Sequence, residues 1–434
     1  MVRRAGERVA ERGAGNPAEH GRDCLTSGQG GRRRGKAVAG MTVRGGGEPR
    51  SGPGVTALLT CAMAFSMMQL FLLGALGPRL VGGSVLSRTE LGLTTTVGFG
   101  TAALLSPVAG RLVDRAGPRR CVVALLLLAA VSLGLIAAAP GAGLLLGAVA
   151  LGGLPQALAN PATNKVILAA FAPRRRGAVT GWKQSGVQAG AFAAGLPLSL
   201  LAAGVGWRGA VWTAAGAAAL AARWAARALP ADPEPAPGAV PSGTAGAVAG
   251  RLAVFSLLLG CGVASVNTYL ALFGTQRLGL PATVAALPVA VLGLAGMAGR
   301  VGWSRMADRE GRAAALPSVL SLGAVGAALL LAAAVLLPAL VWPGAAAVGV
   351  FAVSANAVSM VLVMRSSAPG RAGQDSAIVS AGFFAGFAIG PPVFARAVSA
   401  AGYGPGWLLV AAEFAAAAAV TAPLAVRRPR PVTA

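Results

Sequence analysis

The sequence predicts an all-α integral membrane protein of twelve transmembrane helices in two pseudo-symmetric six-helix bundles. Three observations carry that prediction. Uncharged apolar runs such as Val55–Leu76, Cys121–Ala139 and Val350–Met364 approach or reach the roughly 20 residues that a bilayer-spanning helix needs. Basic residues concentrate in every second loop, and the two halves of the chain repeat each other.

Of the 434 residues, 55% are hydrophobic and 12% charged, against about 25% charged in soluble proteins. The net charge of +24 would suit a nucleic-acid binder, but its location argues otherwise. Eleven of the 37 basic residues lie in positions 1–50, nearly all the others flank apolar runs, and only 5% of residues are aromatic. No nucleic-acid partner is expected. The four cysteines (Cys24, Cys61, Cys121, Cys261) are isolated, and the only histidine, His20, lies in the N-terminal tail. That composition supplies no zinc-type cluster and no histidine acid–base chemistry. No metal and no cofactor are expected, and the chain does not read as an enzyme. Among carboxylates, only Glu413 falls at membrane depth within an apolar run.

Residues 1–52, rich in Gly and Arg, read as a disordered basic tail. Met41 opens a shorter chain, so residues 1–40 read either as a start-site artefact or as a basic tail on the anionic inner leaflet. No signal peptide is evident, because the first apolar run is long enough to span. Twelve segments follow. The first six run approximately 55–78, 90–110, 120–139, 142–170, 177–203 and 207–228, forming a bundle over residues 53–228. Residues 229–250, rich in Pro, Gly and Ala, read as a cytoplasmic linker. The second six run approximately 252–276, 281–299, 313–338, 341–364, 373–398 and 406–426, within residues 251–427, and 428–434 form a C-terminal tail. Nineteen basic residues flank the even-numbered segments' exits, Arg300 among them, and four (Arg79, Arg88, Arg208, Arg277) follow odd-numbered ones. The positive-inside rule then places both termini in the cytoplasm of a multi-pass protein of the plasma (inner) membrane. A monomer is expected.

The repeat is visible residue by residue. GRLVDRAG at 110–117 lines up with SRMADREG at 304–311, and GVQAGAFAAGLP at 186–197 with GFFAGFAIGPP at 382–392. Duplicated six-helix halves related by an axis along the membrane normal are how a major facilitator is built. The loop Gly110-Arg-Leu-Val-Asp114-Arg115-Ala-Gly117-Pro-Arg119-Arg120 closely matches that superfamily's G-x-L-x-D-R-x-G-R-R/K signature. The chain therefore resembles the major facilitator superfamily over about residues 55–427, which implies that fold and a secondary active transporter working by alternating access. Within it, NPATNKVI (160–167), PRRRG (173–177), GWKQSGVQAG (181–190) and GWR (206–208) resemble the cyanate and nitroimidazole-type permeases, associated with small anionic or neutral solutes. Two departures stand out: Ser304 replaces the glycine of the second signature copy, which predicts looser packing there, and segment 4 lacks the mid-span arginine common in proton-coupled drug exporters.

The signature loop has a mechanism of its own. Asp114 can accept charge-assisted hydrogen bonds from Arg115 and Arg119, while Gly110 and Gly117 permit close approach and a tight turn. With Asp308 and Arg309 of the second copy, they are the expected gating residues, latching the cytoplasmic face in one state. The competing reading is that the arginines only set topology.

The expected solute site lies inside the spans. Two of only three lysines, Lys165 and Lys183, fall within predicted helices of a chain that otherwise uses arginine. An intramembrane charge costs at least about 2.5–3.5 kcal/mol at mid-span and faces a cavity or partner, although both lysines are near enough to the cytoplasmic side to snorkel. Lys183 shares a face with Val187, Gly190 and Ala194, small residues that leave room for a solute. Asn160 and Asn164, with Gln156, form a polar stripe on segment 4. Gln69, Gln184, Gln188, Asn267, Tyr269 and Asn356 complete the candidates, each equally able to bond a neighbouring helix. The expected solute is a small organic anion, with coupling to protons or a counter-solute left open. The alternative is a multidrug or hydrophobic-compound exporter of the same fold.

Overall fold

The computed structural model describes residues 52–82, 86–232, 246–285, 287–309 and 313–426. The tail through residue 51, with His20, Cys24 and Lys36, lies outside the described residues, as do the linker centre and positions from 427 onward. Every described element is a helix: α1 (Pro53–Gly82), α2 (Arg88–Ala116), α3 (Pro118–Ala138), α4 (Ala142–Ala170), α5 (Pro173–Gly195) and α6 (Pro197–Ala228). The second half contains α7 (Ala247–Gln276), a short α8 (Ala282–Ala285), α9 (Leu287–Ala307) and α10 (Leu316–Ala333). It continues with α11 (Val341–Val348), α12 (Ser354–Ser366), α13 (Ala372–Ala401) and α14 (Tyr403–Val426). A 3₁₀ turn (Pro338–Leu340) leads into α11, and a π turn (Gly349–Val353) joins α11 to α12 in one long span.

Prolines start several helices. Pro53, Pro118, Pro173 and Pro197 each occupy a first helical position, where the missing N–H is one the helix would not have used. At the start of α2, Ser87 and Glu90 exchange side-chain and backbone hydrogen bonds in a capping box. Between α2 and α3 the chain turns at Gly117 with φ 92°, a conformation open to glycine. Large apolar side chains such as Leu104, Leu220 and Leu294 remain exposed on the outside, as a lipid-facing surface requires.

Among the described residues, ten helical spans are individually long and apolar enough to cross a membrane. The exceptions are α5 and α6, which qualify only together, as a pair bent by 41°. The expected segment 177–203 is broken at Leu196, and the chain bends again at Gly206 (φ 76°) before the rest of α6. The physical reason is polarity: α5 carries Arg174, Arg175 and Arg176 at its start and Lys183, Gln184 and Gln188 along its length. Despite that, Lys183, Gln184 and Ser185 are buried, so the polar face of α5 is enclosed by protein, while Trp182 and Phe192 on its other side remain exposed.

Close packing depends on glycine where backbones touch. A Cβ at Gly186 of α5 would lie 2.1 Å from the Thr60 carbonyl oxygen of α1, and one at Gly382 of α13 would lie 2.2 Å from the Ala253 carbonyl oxygen of α7. These are repeat-equivalent positions, packed in the same way in each half. Gly186→Val is expected to destabilise the protein by about 1–3 kcal/mol or more through backbone displacement, read as a lower Tm in detergent. Gly74→Ala, with open space around it, should leave Tm unchanged.

Candidate functional site

Two aspartates join the halves at the end of the bundle that carries the arginine-rich loops. Asp114, at the end of α2, accepts hydrogen bonds from the backbone N–H groups of Gly373 (3.1 Å) and Gln374 (2.8 Å), in the first turn of α13. Asp308, just after α9, accepts from the N–H groups of Gly177 (2.7 Å) and Ala178 (3.0 Å) in α5, with Arg365 Nη2 at 3.4 Å. At the start of α13 such N–H groups have no intrahelical partner, and both helix N-terminal regions carry the positive end of a helix dipole, so a carboxylate is favoured at each. Burial pushes the Asp308 carboxyl above its ordinary range, although the two backbone donors and Arg365 act in the opposite sense.

This pairing differs from the expected one. The groups bonded to the Asp114 carboxylate are backbone amides and Lys165 Nζ, 3.1 Å away, rather than Arg115 or Arg119. Lys165 also donates to the carbonyls of Val113 (3.1 Å) and Asp114 (3.2 Å), capping the C-terminus of α2. The turn at Gly117 carries the arginines away. Arg115 and Arg309 are exposed, and the N–H groups of Arg119 and Arg120 donate to the Asp232 carboxylate at 2.8 and 2.9 Å. Asp232 opens the linker and sits so close that a Cβ at Gly117 would lie 2.3 Å from its Cγ.

The expected looseness at Ser304 is absent. A Cβ at Gly110 would lie 2.6 Å from Ala377 Cβ, and a Cβ at Gly181 would lie 3.1 Å from Ser304 Cβ. Ala377 and Gly181 are repeat equivalents, as are Gly110 and Ser304. The glycine has moved to the other helix of the pair, and both contacts stay close.

Between the halves lies a cavity of about 420 Å³. Asn160, Gln184, Gln188, Asn267 and Asn356 line it, as expected candidates, and so does Arg300 of α9, which the loop count had assigned to topology. Arg300 is 4% exposed. Its Nε donates to the Val353 carbonyl in the π turn at 3.3 Å, and its Nη1 donates to the Gln184 carbonyl and to Gln188 Oε1. Its Nη2 has no hydrogen-bond partner among the described residues.

Lys183 lies behind that wall, fully buried and outside the cavity lining. Its Nζ donates to Asn160 Oδ1 (3.0 Å) and Asn164 Oδ1 (2.7 Å). Gln184 Nε2 donates to the same Asn160 oxygen, while the Asn160 and Asn164 amides donate to Ser380 and Ser376 Oγ of α13, each at 3.0 Å. A polar network thus ties α4, α5 and α13 together. Asn356, the repeat equivalent of Asn160, is 5% exposed and its Oδ1 has no partner among the described residues.

Three candidates lie elsewhere. Lys165 sits at the closed end beside Asp114. Gln69 is tied within the first half, donating to the Val149 carbonyl at 3.1 Å and accepting from Ser132 Oγ at 2.6 Å. Tyr269 packs on Phe394 with ring centres 5.0 Å apart. Arg300 was detectable from the repeat: its counterpart in the first half, at the same spacing before the signature loop, is Ser106.

The model of the Major Facilitator Superfamily matches residues 55–391. The chain belongs to that superfamily. It is a multi-pass membrane protein and a secondary transporter, of a family whose members transport rather than catalyse. The transporter's fold is similar to the human organic anion transporter MFSD10 (TETRAN): TM-score 0.71, 17% identity, 85% of this chain and 100% of that one. It is also similar to the proton:xylose symporter XylE bound to 6-bromo-6-deoxy-D-glucose (0.70, 16%, 84% and 94%). A bacterial homologue of the iron transporter ferroportin in an outward-facing state matches likewise (0.69, 14%, 86% and 100%). No curated protein matches the transporter by sequence. Identities this low show the shared fold alone.

Lys165→Met should cost about 1–2 kcal/mol by removing a partly buried cap and its ion pair. A fall in Tm with unchanged ligand affinity is the expected outcome. Lost affinity at constant Tm would instead return Lys165 to the binding site.

Proposed function

We propose that this transporter carries a small organic anion across the plasma membrane by rocker-switch alternating access, with both termini cytoplasmic. The observation that supports this reading most is Arg300: a guanidinium on the cavity wall, held by neutral groups, with Nη2 unengaged among the described residues. Lys183 adds a second buried basic residue bonded only to amide oxygens. Among the described residues, no Asp or Glu lines the cavity. A buried charge that lacks a counter-charge in the protein is favourably completed by one on the ligand. The likeness of residues 160–190 to cyanate and nitroimidazole-type permeases points the same way.

In this reading Asp114 and Asp308 are the gate. Each holds backbone amides in the N-terminal part of a helix from the other half, so opening the cytoplasmic end requires both carboxylates to leave their amides. Gly110 and Gly117 serve it by close approach, while Arg115, Arg119 and Arg309 serve topology. The aromatic portion of the lining favours a second reading, an exporter of hydrophobic compounds; a neutral solute would then have no use for Arg300.

Arg300→Gln removes one charge-assisted hydrogen bond of about 1.5–3 kcal/mol, so anion affinity should fall roughly 10- to 150-fold. Calorimetric titration of purified variant and wild type with small carboxylates measures this, and equal affinity would exclude an anion site at Arg300. Lys183→Met, which keeps side-chain length, should leave the fold intact and weaken binding less, because Lys183 acts through Asn160 and Asn164. For the gate, Asp114→Asn with Asp308→Asn should speed labelling of a single cysteine placed at Gln374, in a background lacking the native cysteines. Unchanged labelling would remove both aspartates from the gate.

A further inference from the structure

Resting on the anion reading above, we infer that the transported anion is an aromatic monocarboxylate. Its ring lies against Phe99, Phe384 and Phe387, and its carboxylate against Arg300 and Gln188.

The two walls of the cavity are repeat equivalents that have diverged. On α5 three of the lining residues are Val187, Gln188 and Ala191; the same positions of α13 are Phe383, Phe384 and Phe387. One helix therefore offers small side chains and an amide, and its counterpart offers three rings. Phe99 of α2 completes the aromatic side. Its ring centre is 4.9 Å from Phe387 and 6.0 Å from Phe384, and Phe387 is 4.8 Å from Phe383. All of these contacts are tilted rather than parallel, the arrangement that a ring quadrupole favours. A further ring entering beside them gains the same inclined ring–ring contacts, which an alkyl chain cannot make.

The polar side is equally directional. Gln188 Oε1 accepts from Arg300 Nη1, which fixes the amide so that Nε2 is the group left to donate. Neither that Nε2 nor Arg300 Nη2 has a partner among the described residues. Two unengaged N–H groups on one bonded pair match the two oxygens of a single carboxylate. With no Asp or Glu among the described lining residues, an ammonium group would find no counter-charge there, so amino acids are poor ligands. A cavity of about 420 Å³ is within the usual range for small-molecule sites and holds a one- or two-ring acid.

The test is a ligand series on the purified wild-type protein, with affinities measured by calorimetry for benzoate, cyclohexanecarboxylate, butyrate and benzyl alcohol. Benzoate should bind roughly fivefold more tightly than cyclohexanecarboxylate, from aromatic contacts of the usual size, and more tightly still than butyrate. Phe387→Leu should move the ratio of benzoate to cyclohexanecarboxylate affinity towards one, because one of the three rings is gone. Cyclohexanecarboxylate binding as tightly as benzoate overturns the aromatic assignment and leaves the anion reading standing. Benzyl alcohol binding as tightly as benzoate, or no binding of any carboxylate, overturns the anion reading and this inference with it. The wild-type series decides the matter even where the variant does not fold.

Discussion

A carboxylate seated on backbone amides near the start of a helix from the opposite half is the contact on which the closed end depends. Asp114 accepts from two first-turn N–H groups of α13 that no intrahelical carbonyl could reach, and Asp308 accepts from two N–H groups one turn into α5. Because the donors are backbone groups, only the aspartate side chain has to be ordered. The contact also demands near-zero side-chain thickness. A Cβ at Gly177 would lie 2.1 Å from the Ser304 carbonyl oxygen, and one at Gly373 would lie 2.5 Å from Asp114 Oδ1. The four helices joined in this way, α2, α13, α9 and α5, all contribute side chains to the cavity. The end contacts and the cavity walls are consequently one mechanical unit.

The interior charge follows a different rule. Charges at membrane depth are expensive, and carboxylate partners are the common remedy. Here Arg300 and Lys183 are held by carbonyl and amide oxygens instead. Dipoles lower the cost of burying a cation without cancelling its charge. The π turn contributes directly, since its last residue, Val353, supplies one of the carbonyls. The interior therefore stays basic, with the polarity set by α4, α5 and α9 and the apolar surface by α2 and α13.

Much of the fold was legible in the sequence because membrane helices obey few constraints: length, apolarity and loop charge. The twelve helical segments, the repeat and the signature loop are all readable from those. The α5–α6 region was harder, since the polar residues that serve the interior erase the apolar signal used to find spans. Site residues were legible only as a set of polar side chains. Asn160, Gln184, Gln188, Asn267 and Asn356 reach the cavity, while Lys165, Gln69 and Tyr269 do not. Which way a buried polar group points depends on its partner in another helix, and sequence spacing does not encode that partner. Arg300 was hidden for a related reason: four residues before a loop motif, an arginine looks like a topology signal.

Comparison of the two copies separates what duplication preserved from what it released. Positions of the closed end are matched or exchanged in compensating pairs: Asp114 with Asp308, Gly177 with Gly373, and the glycine of Gly110·Ala377 with that of Ser304·Gly181. Cavity positions, Asn160 with Asn356 apart, are not. Ser106 faces the repeat as Arg300, Val187 as Phe383, Gln188 as Phe384 and Ala191 as Phe387. The difference has a physical basis. Closing an end symmetrically requires the same contact twice, so a change in one copy must be balanced in its partner helix. A ligand with a charged end and an apolar end has no twofold symmetry, and a cavity that stayed symmetric could not match both ends at once. Divergence of the repeat at α5, α9 and α13 is therefore what binding an asymmetric solute demands, and it falls on the residues that wall the cavity.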